Sequence, residues 1–173
     1  YEARKYGIHS AMPISQAFQR CPKAIFLPAR MSRYGEASDQ IFSILRDFTP
    51  DVEPISIDEA FLDMTGTSKL FGSPSEIGHK IKERIKNELN LTASVGIAPV
   101  KMVAKIASDL CKPDGLLEVK KENILKFLWP LDVGKLWGVG PKTKSFLNKM
   151  NIATIGDLAR IGKEALYEDL GEN

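Results

Sequence analysis

Two adjacent carboxylates, Asp58 and Glu59, interrupt an otherwise apolar, strand-forming stretch, SIDEAFLDMTG, at residues 56–66. Neighbouring side chains on a regular strand point to opposite faces. Both acids can therefore serve one site only if the chain turns or bulges here. Residues 52–57 and 60–65 would then be the arms of a hairpin with the acids at its tip. Such a pair suits Mg²⁺, which takes a few carboxylates together with phosphate oxygens. By itself an Asp-Glu pair is equally a surface turn. A second candidate is Gly138-Val139-Gly140, followed by Pro141 and by Lys142 and Lys144. Glycines let backbone N–H groups approach a phosphate, and the helix N-terminus that follows adds its dipole. A contact of that kind is made to nucleic-acid backbone and is independent of base sequence. The plain alternative is an ordinary turn between helices.

The elements that must position these groups are marked along the chain. Pro13 starts a short helix with Ile14, Ala17, Phe18 and Cys21 on one face, ending before Pro22. Residues 24–27 are a short apolar strand candidate. Ile41, Ile44, Leu45 and Phe48 follow helical spacing within a helix from about Met31, ended by Pro50. Ser73-Pro74-Ser75-Glu76 is a capping box with Pro at the first helical position, and Ile77, Ile81, Ile85 and Leu89 continue as the apolar stripe. LTASVGIA (residues 91–98) predicts a strand, and Pro99 opens a helix with Val100, Val103, Ala104, Ala107 and Leu110 inward. Pro113-Asp114-Gly115 is a turn before a short strand, residues 116–119. This β–α–β–α–β run describes an α+β layer, a sheet with helices on one face. Beyond Lys120 the pattern changes to short helices: one over residues 124–128 halted at Pro130, one after the glycine loop, one after Thr154. A domain boundary is expected near residue 120.

Bulk properties narrow the classes. At 173 residues the chain can bury one substantial core or two small ones. No apolar run approaches the roughly 20 residues that cross a bilayer, and residues 1–10 are too polar for a secretory leader. Cys21 and Cys111 are isolated, which fits two reduced thiols in a cytoplasmic protein better than a disulfide or zinc site. The net charge of +2 conceals blocks. Residues 1–35 carry six Lys/Arg against one Glu, residues 36–63 eight carboxylates against Arg46, and residues 99–149 ten Lys against five acids. An acidic block between basic flanks suits a metal-dependent enzyme acting on a polyanion, although charge blocks also arise simply as solvated faces.

The chain resembles the Y-family of DNA polymerases, and its DinB-like branch most closely. The resemblance is carried by YEARKYGIHSAMP (residues 1–13), SIDEAFLD (56–63), ASVGIAPVKMVAKIAS (93–108), KPDG (112–115) and LWGVG (136–140), in the family's order and spacing. It implies a partial ferredoxin-like palm at residues 31–119, the end of the fingers at 1–30, and a small all-α helix-hairpin-helix thumb at 120–173. It also implies error-prone translesion synthesis by two-metal nucleotidyl transfer, from a dNTP to a primer 3′-OH. Asp58 and Glu59 would be the Mg²⁺ ligands. Tyr1, Arg4 and Lys112 would contact the triphosphate as a hydroxyl, a bidentate fork and a point charge; without the resemblance each is a surface residue. Gly138, Val139, Gly140 and Lys142 would hold primer–template DNA, with Trp137 where many such hairpins carry Pro. The family opens with a DxDxFFA/Y-type strand that supplies a third metal carboxylate, and it continues past the thumb into a little finger domain and a sliding-clamp tail. This chain starts after the first and stops before the second, so the expectation is a monomeric fragment with little or no activity by itself. Two rival classes are a non-catalytic DNA-binding palm and thumb scaffold, and a nucleotide cyclase that shares the palm architecture.

Overall fold

The computed structural model of the chain describes residues 1–162 and Leu166. It divides into two compact units, Tyr1–Tyr34 and Gly35–Asn173.

In the first unit a single 3₁₀ turn, Ala3–Tyr6, ends where the Gly7 N–H donates to the Arg4 carbonyl at 2.9 Å. Helix α1, Ile14–Arg20, follows Pro13 as the spacing predicts and stops at Cys21, before Pro22. Its apolar face is barely used within the described residues: Ala17 is buried, but Ile14 and Phe18 are exposed. Phe18 instead meets Phe26, with ring centroids 6.0 Å apart. Residues 24–27 are not a strand. They pair with no neighbour among the described residues, and Ile25 and Leu27 are 87% and 81% exposed, so a short apolar run between Pro22 and Pro28 stays irregular.

Helix α2, Met31–Arg46, begins in these residues and runs into the second unit. There Phe42, Ile44, Leu45 and Phe48 join one core cluster with Ile77, Ile81 and Ile85, and Ile41 and Leu89 pack at its margin. Strands β1, Val52–Pro54, and β2, Ala60–Leu62, pair antiparallel in the register Val52↔Leu62, Glu53↔Phe61, Pro54↔Ala60. After the short helix α3, Ser68–Phe71, comes α4, Pro74–Leu89, with the expected capping box between Ser73 and Glu76. Strand β3, Val95–Ile97, pairs parallel with β4, Leu116–Glu118, across the intervening helix α5, Lys101–Leu110.

Two details differ from the sequence-based expectation, and the second has a packing cause. The strands form two separate two-stranded ladders rather than one continuous sheet among the described residues. Helix α5 starts after an extended Val100, not at Pro99, and buries Val103, Ile106 and Ala107, while Val100 and Leu110 remain exposed. The rotation follows from Gly96. A Cβ there would lie 1.9 Å from the Ala104 carbonyl oxygen and 2.5 Å from the Ser108 nitrogen, so the backbone of α5 rests directly on β3. The backbone of Ala104 thus lies against the ladder, and Ile106 is buried in the core.

Beyond Lys120 lie α6, Ile124–Leu128, α7, Pro141–Lys149, and α8, Ile155–Arg160. Their packing does not respect position 120. Val103, Ile106 and Ala107 of α5 share a cluster with Val119, Leu128 and Ile155, while Val133, Leu147 and Ile152 form a smaller one. The mixture of helix and strand is the α+β class read from the sequence.

Candidate active site

The hairpin expected around the paired acids is present, with shorter arms. Residues 55–59 form its tip, closed where the Ile55 and Ser56 N–H groups both donate to the Glu59 carbonyl, at 2.8 and 3.2 Å. Asp58 and Glu59 therefore stand on a turn, where strand alternation no longer sends them to opposite faces. The Ser56 hydroxyl donates to Asp58 Oδ1 at 2.6 Å, and the Asp58 N–H returns to Ser56 Oγ at 3.3 Å. The base of the hairpin is pinned by the buried Thr49, whose hydroxyl donates to the Asp63 carbonyl at 2.7 Å.

Opposite the tip stand two lysines from α5 and the turn after it. Lys105 Nζ lies 2.7 Å from Glu59 Oε1 and 3.1 Å from Asp109 Oδ2. Lys112 Nζ lies 2.7 Å from Asp109 Oδ1 and 3.6 Å from Glu59 Oε1. The four groups form a closed ring of alternating charge. Burial pushes the Asp109 carboxyl up, but hydrogen bonds from Lys112 and Lys105 outweigh it and hold Asp109 below the ordinary carboxylate value. Lys105 is only 14% exposed at its side chain, which is why it needs two carboxylates.

Glu59 and Lys112 are thus brought together, while the Asp58 carboxylate, next to Glu59 in the chain, is bonded to Ser56. Tyr1 and Arg4 belong to the first unit, where the Arg4 guanidinium sits 5.1 Å from the Tyr1 ring centroid. Asp58 and Glu59 offer hard oxygen donors that fit a divalent ion needing few protein ligands. Among the described residues no three His, Cys, Asp or Glu side chains group as a metal site.

The glycine loop lies at the start of α7, with Gly140 as its N-cap and Pro141 at the first helical position. Gly138 has φ +92°, a conformation that side chains rarely adopt. A Cβ on Gly138 or Gly140 would meet no protein atom within 4 Å, so the surface above both is open. Lys142 is exposed beside it, but Lys144 bonds Asp132 at 2.8 Å. Trp137 turns back toward the hairpin, with its ring 6.4 Å from that of Phe61.

Residues 1–109 match the impB/mucB/samB family, and residues 121–152 match the helix-hairpin-helix motif of the IMS family. The chain belongs to the impB/mucB/samB family. A DNA polymerase IV of Desulfatibacillum aliphaticivorans is 49% identical over all of this chain and 44% of that protein. The crystal structure of DinB from Sulfolobus solfataricus superposes with TM-score 0.90 at 35% identity, covering 99% of this chain and 51% of that one. An insertion ternary complex of Dbh DNA polymerase gives TM-score 0.89 at 36% identity, over 99% and 50%. The chain spans a little under half the length of the curated relatives it matches. Membership of the impB/mucB/samB family agrees with the Y-family, DinB-like resemblance of the motifs.

Lys105 and Asp109 are the site residues that sequence reasoning passed over in this member of the impB/mucB/samB family. Lys105 lies inside a motif quoted only as a marker. A signal was available: a lysine on the inward side of an amphipathic helix, with Asp109 four residues on, must be paired.

Proposed function

We propose that the whole protein is a DNA-directed DNA polymerase of the Y-family, performing error-prone translesion synthesis. In this reading residues 1–30 end the fingers, 31–119 are palm and 120–173 thumb. Primer–template DNA and dNTPs are its substrates, a sliding clamp its partner in the rest of the protein, and the cytoplasm its location. The observation that carries the reading is the carboxylate pair at a hairpin tip, with Lys105 and Lys112 standing against its Glu59. Such a site combines acids for a cation with cations for a triphosphate.

Asp58 and Glu59 would hold Mg²⁺, which when bound lowers the charge on the reacting phosphate and on the 3′-oxygen. The primer 3′-oxygen attacks the α-phosphorus, the bond to the β-phosphate breaks, and pyrophosphate leaves. In this reading Lys112 would be the point charge for the leaving pyrophosphate, and Arg4 and Tyr1 would offer the triphosphate a guanidinium fork and a hydroxyl. The open surface above Gly138, Val139 and Gly140, at the N-terminus of α7, suits a DNA phosphate, with Lys142 adding charge.

Primer extension by the whole protein tests this. Asp58→Ala should lower incorporation by about 100-fold or more while duplex binding persists. Undiminished extension by that variant would refute the assignment.

A further inference from the structure

We propose that Trp137 is a positioning residue that clasps the glycine loop to the hairpin carrying Asp58 and Glu59, so that bound duplex meets the acids in a fixed register. The inference rests on the polymerase reading above. The Trp137 ring lies 6.4 Å from that of Phe61 at an interplanar angle of 66°, an edge-to-face arrangement. In that geometry the positive rim of one ring attracts the negative face of the other. Phe61 sits on β2, two residues beyond Glu59, and pairs across the ladder with Glu53. It is gripped from a second side as well. Lys101, the first residue of α5, bonds Glu53 and holds its ammonium 5.6 Å from the Phe61 ring centroid. Lys105, one helical turn on, pairs with Glu59. Helix α5 thus takes hold of the hairpin at two points, and Phe61 offers Trp137 a ring that is already fixed.

The direction of the Trp137 ring is coupled to that of the loop through the turn on which it stands. The Val139 N–H donates to the Leu136 carbonyl at 3.1 Å, which puts Trp137 and Gly138 at the two central positions of a four-residue turn. Gly138, at the third position, has the positive φ of +92° that such a turn asks of a glycine. Leu136 and Val139 anchor the ends of the turn in the apolar clusters around Ile106 and Leu147. Trp137 instead reaches to β2. A shift of its ring off Phe61 re-aims the backbone of Gly138 and Gly140, where a DNA phosphate is proposed to sit. Trp137 is 61% exposed, so the contact contributes more to the direction of the loop than to the stability of the core. Orientation within a bound complex acts on the rate of reaction rather than on affinity.

Single-turnover primer extension by the whole protein, at saturating primer–template, dNTP and Mg²⁺, tests the clasp, with duplex affinity measured alongside by fluorescence anisotropy. Trp137→Ala should slow incorporation by the bound complex about fivefold, while duplex affinity stays within about twofold of the parent. Trp137→Phe keeps a ring at this position and should recover most of the rate. Phe61→Leu keeps an apolar side chain on β2 and should slow incorporation to the same extent. The double variant Trp137→Ala with Phe61→Leu should add less than about twofold to either loss. A parental rate in Trp137→Ala or in Phe61→Leu, even with a lowered melting temperature, would overturn the proposal. So would fully additive losses in the double variant. A duplex affinity that falls while the saturated rate holds would overturn it too, because Trp137 would then be a DNA contact only. A parent protein that neither binds duplex nor extends a primer would overturn the polymerase reading itself; a parent that does both leaves the clasp alone on trial.

Discussion

Lys105 Nζ stands 2.7 Å from Glu59 Oε1 across 46 residues of sequence, tying the hairpin tip to helix α5. Removing the lysine leaves a partly buried carboxylate with a weaker partner. Lys105→Ala should cost about 1 kcal/mol of stability in urea unfolding, and Lys105→Arg less. A variant as stable as the parent would show that the pair holds nothing in place.

The close approach of β3 and α5 is more demanding. Gly96→Ala drives a methyl to 1.9 Å from a backbone oxygen that no side-chain rotation can move. A loss of about 3 kcal/mol is expected, with reduced soluble yield. Retention of the parent melting temperature would mean that α5 can shift away from the ladder at little cost.

At the glycine loop, space and backbone conformation separate. Nothing obstructs a Cβ at position 138, but its φ of +92° is strained for alanine. Gly138→Ala should lower stability by about 1 kcal/mol and, under the proposed polymerase function, weaken duplex binding by the whole protein. Lys142→Ala should leave stability unchanged and reduce the salt slope of binding by about 1. Equal salt slopes for parent and variant would place the phosphate elsewhere.

Helix α8 depends on a reciprocal cap. The Thr154 hydroxyl accepts from the Asp157 N–H at 3.0 Å, and Asp157 Oδ2 accepts from the Thr154 N–H at 2.9 Å. Thr154→Ala should cost about 1 kcal/mol, while Thr154→Ser keeps most of it. Identical unfolding midpoints for Ala and Ser would contradict the role of the hydroxyl.

Acid should unfold the protein through its bonded carboxylates. Thr65 lowers Asp63, Lys144 and the Gly134 N–H lower Asp132, Thr154 lowers Asp157, and the Ser73 N–H lowers Glu76. Each binds its proton less readily folded than unfolded, so the contribution is complete above the ordinary values of 3.8 for Asp and 4.5 for Glu. It is lost as pH falls through those values toward the lowered ones. Urea midpoints should be flat down to about pH 5 and decline below it; a midpoint that rises on acidification would be inconsistent with these bonds.

Much of this was legible locally. The Ser73 cap, the Ile77–Ile81–Ile85 stripe and the hairpin around Asp58 and Glu59 are governed by neighbours within a few residues, which sequence displays directly. The run at residues 24–27 misled for the complementary reason: a strand requires a partner, and none is encoded nearby.

The sequence by itself determined the paired acids, the turn that must carry them, the glycine loop ahead of α7 and the family they mark. Only the tertiary structure decided that α5 rests its backbone on Gly96, that Ile106 rather than Leu110 turns inward, and that Lys105, Asp109 and Lys112 close a ring on Glu59. Propensity, capping and turn chemistry act over three or four residues. The approach of a helix to a ladder, and the pairing of charges across 46 residues, depend on which surfaces come together when the chain packs.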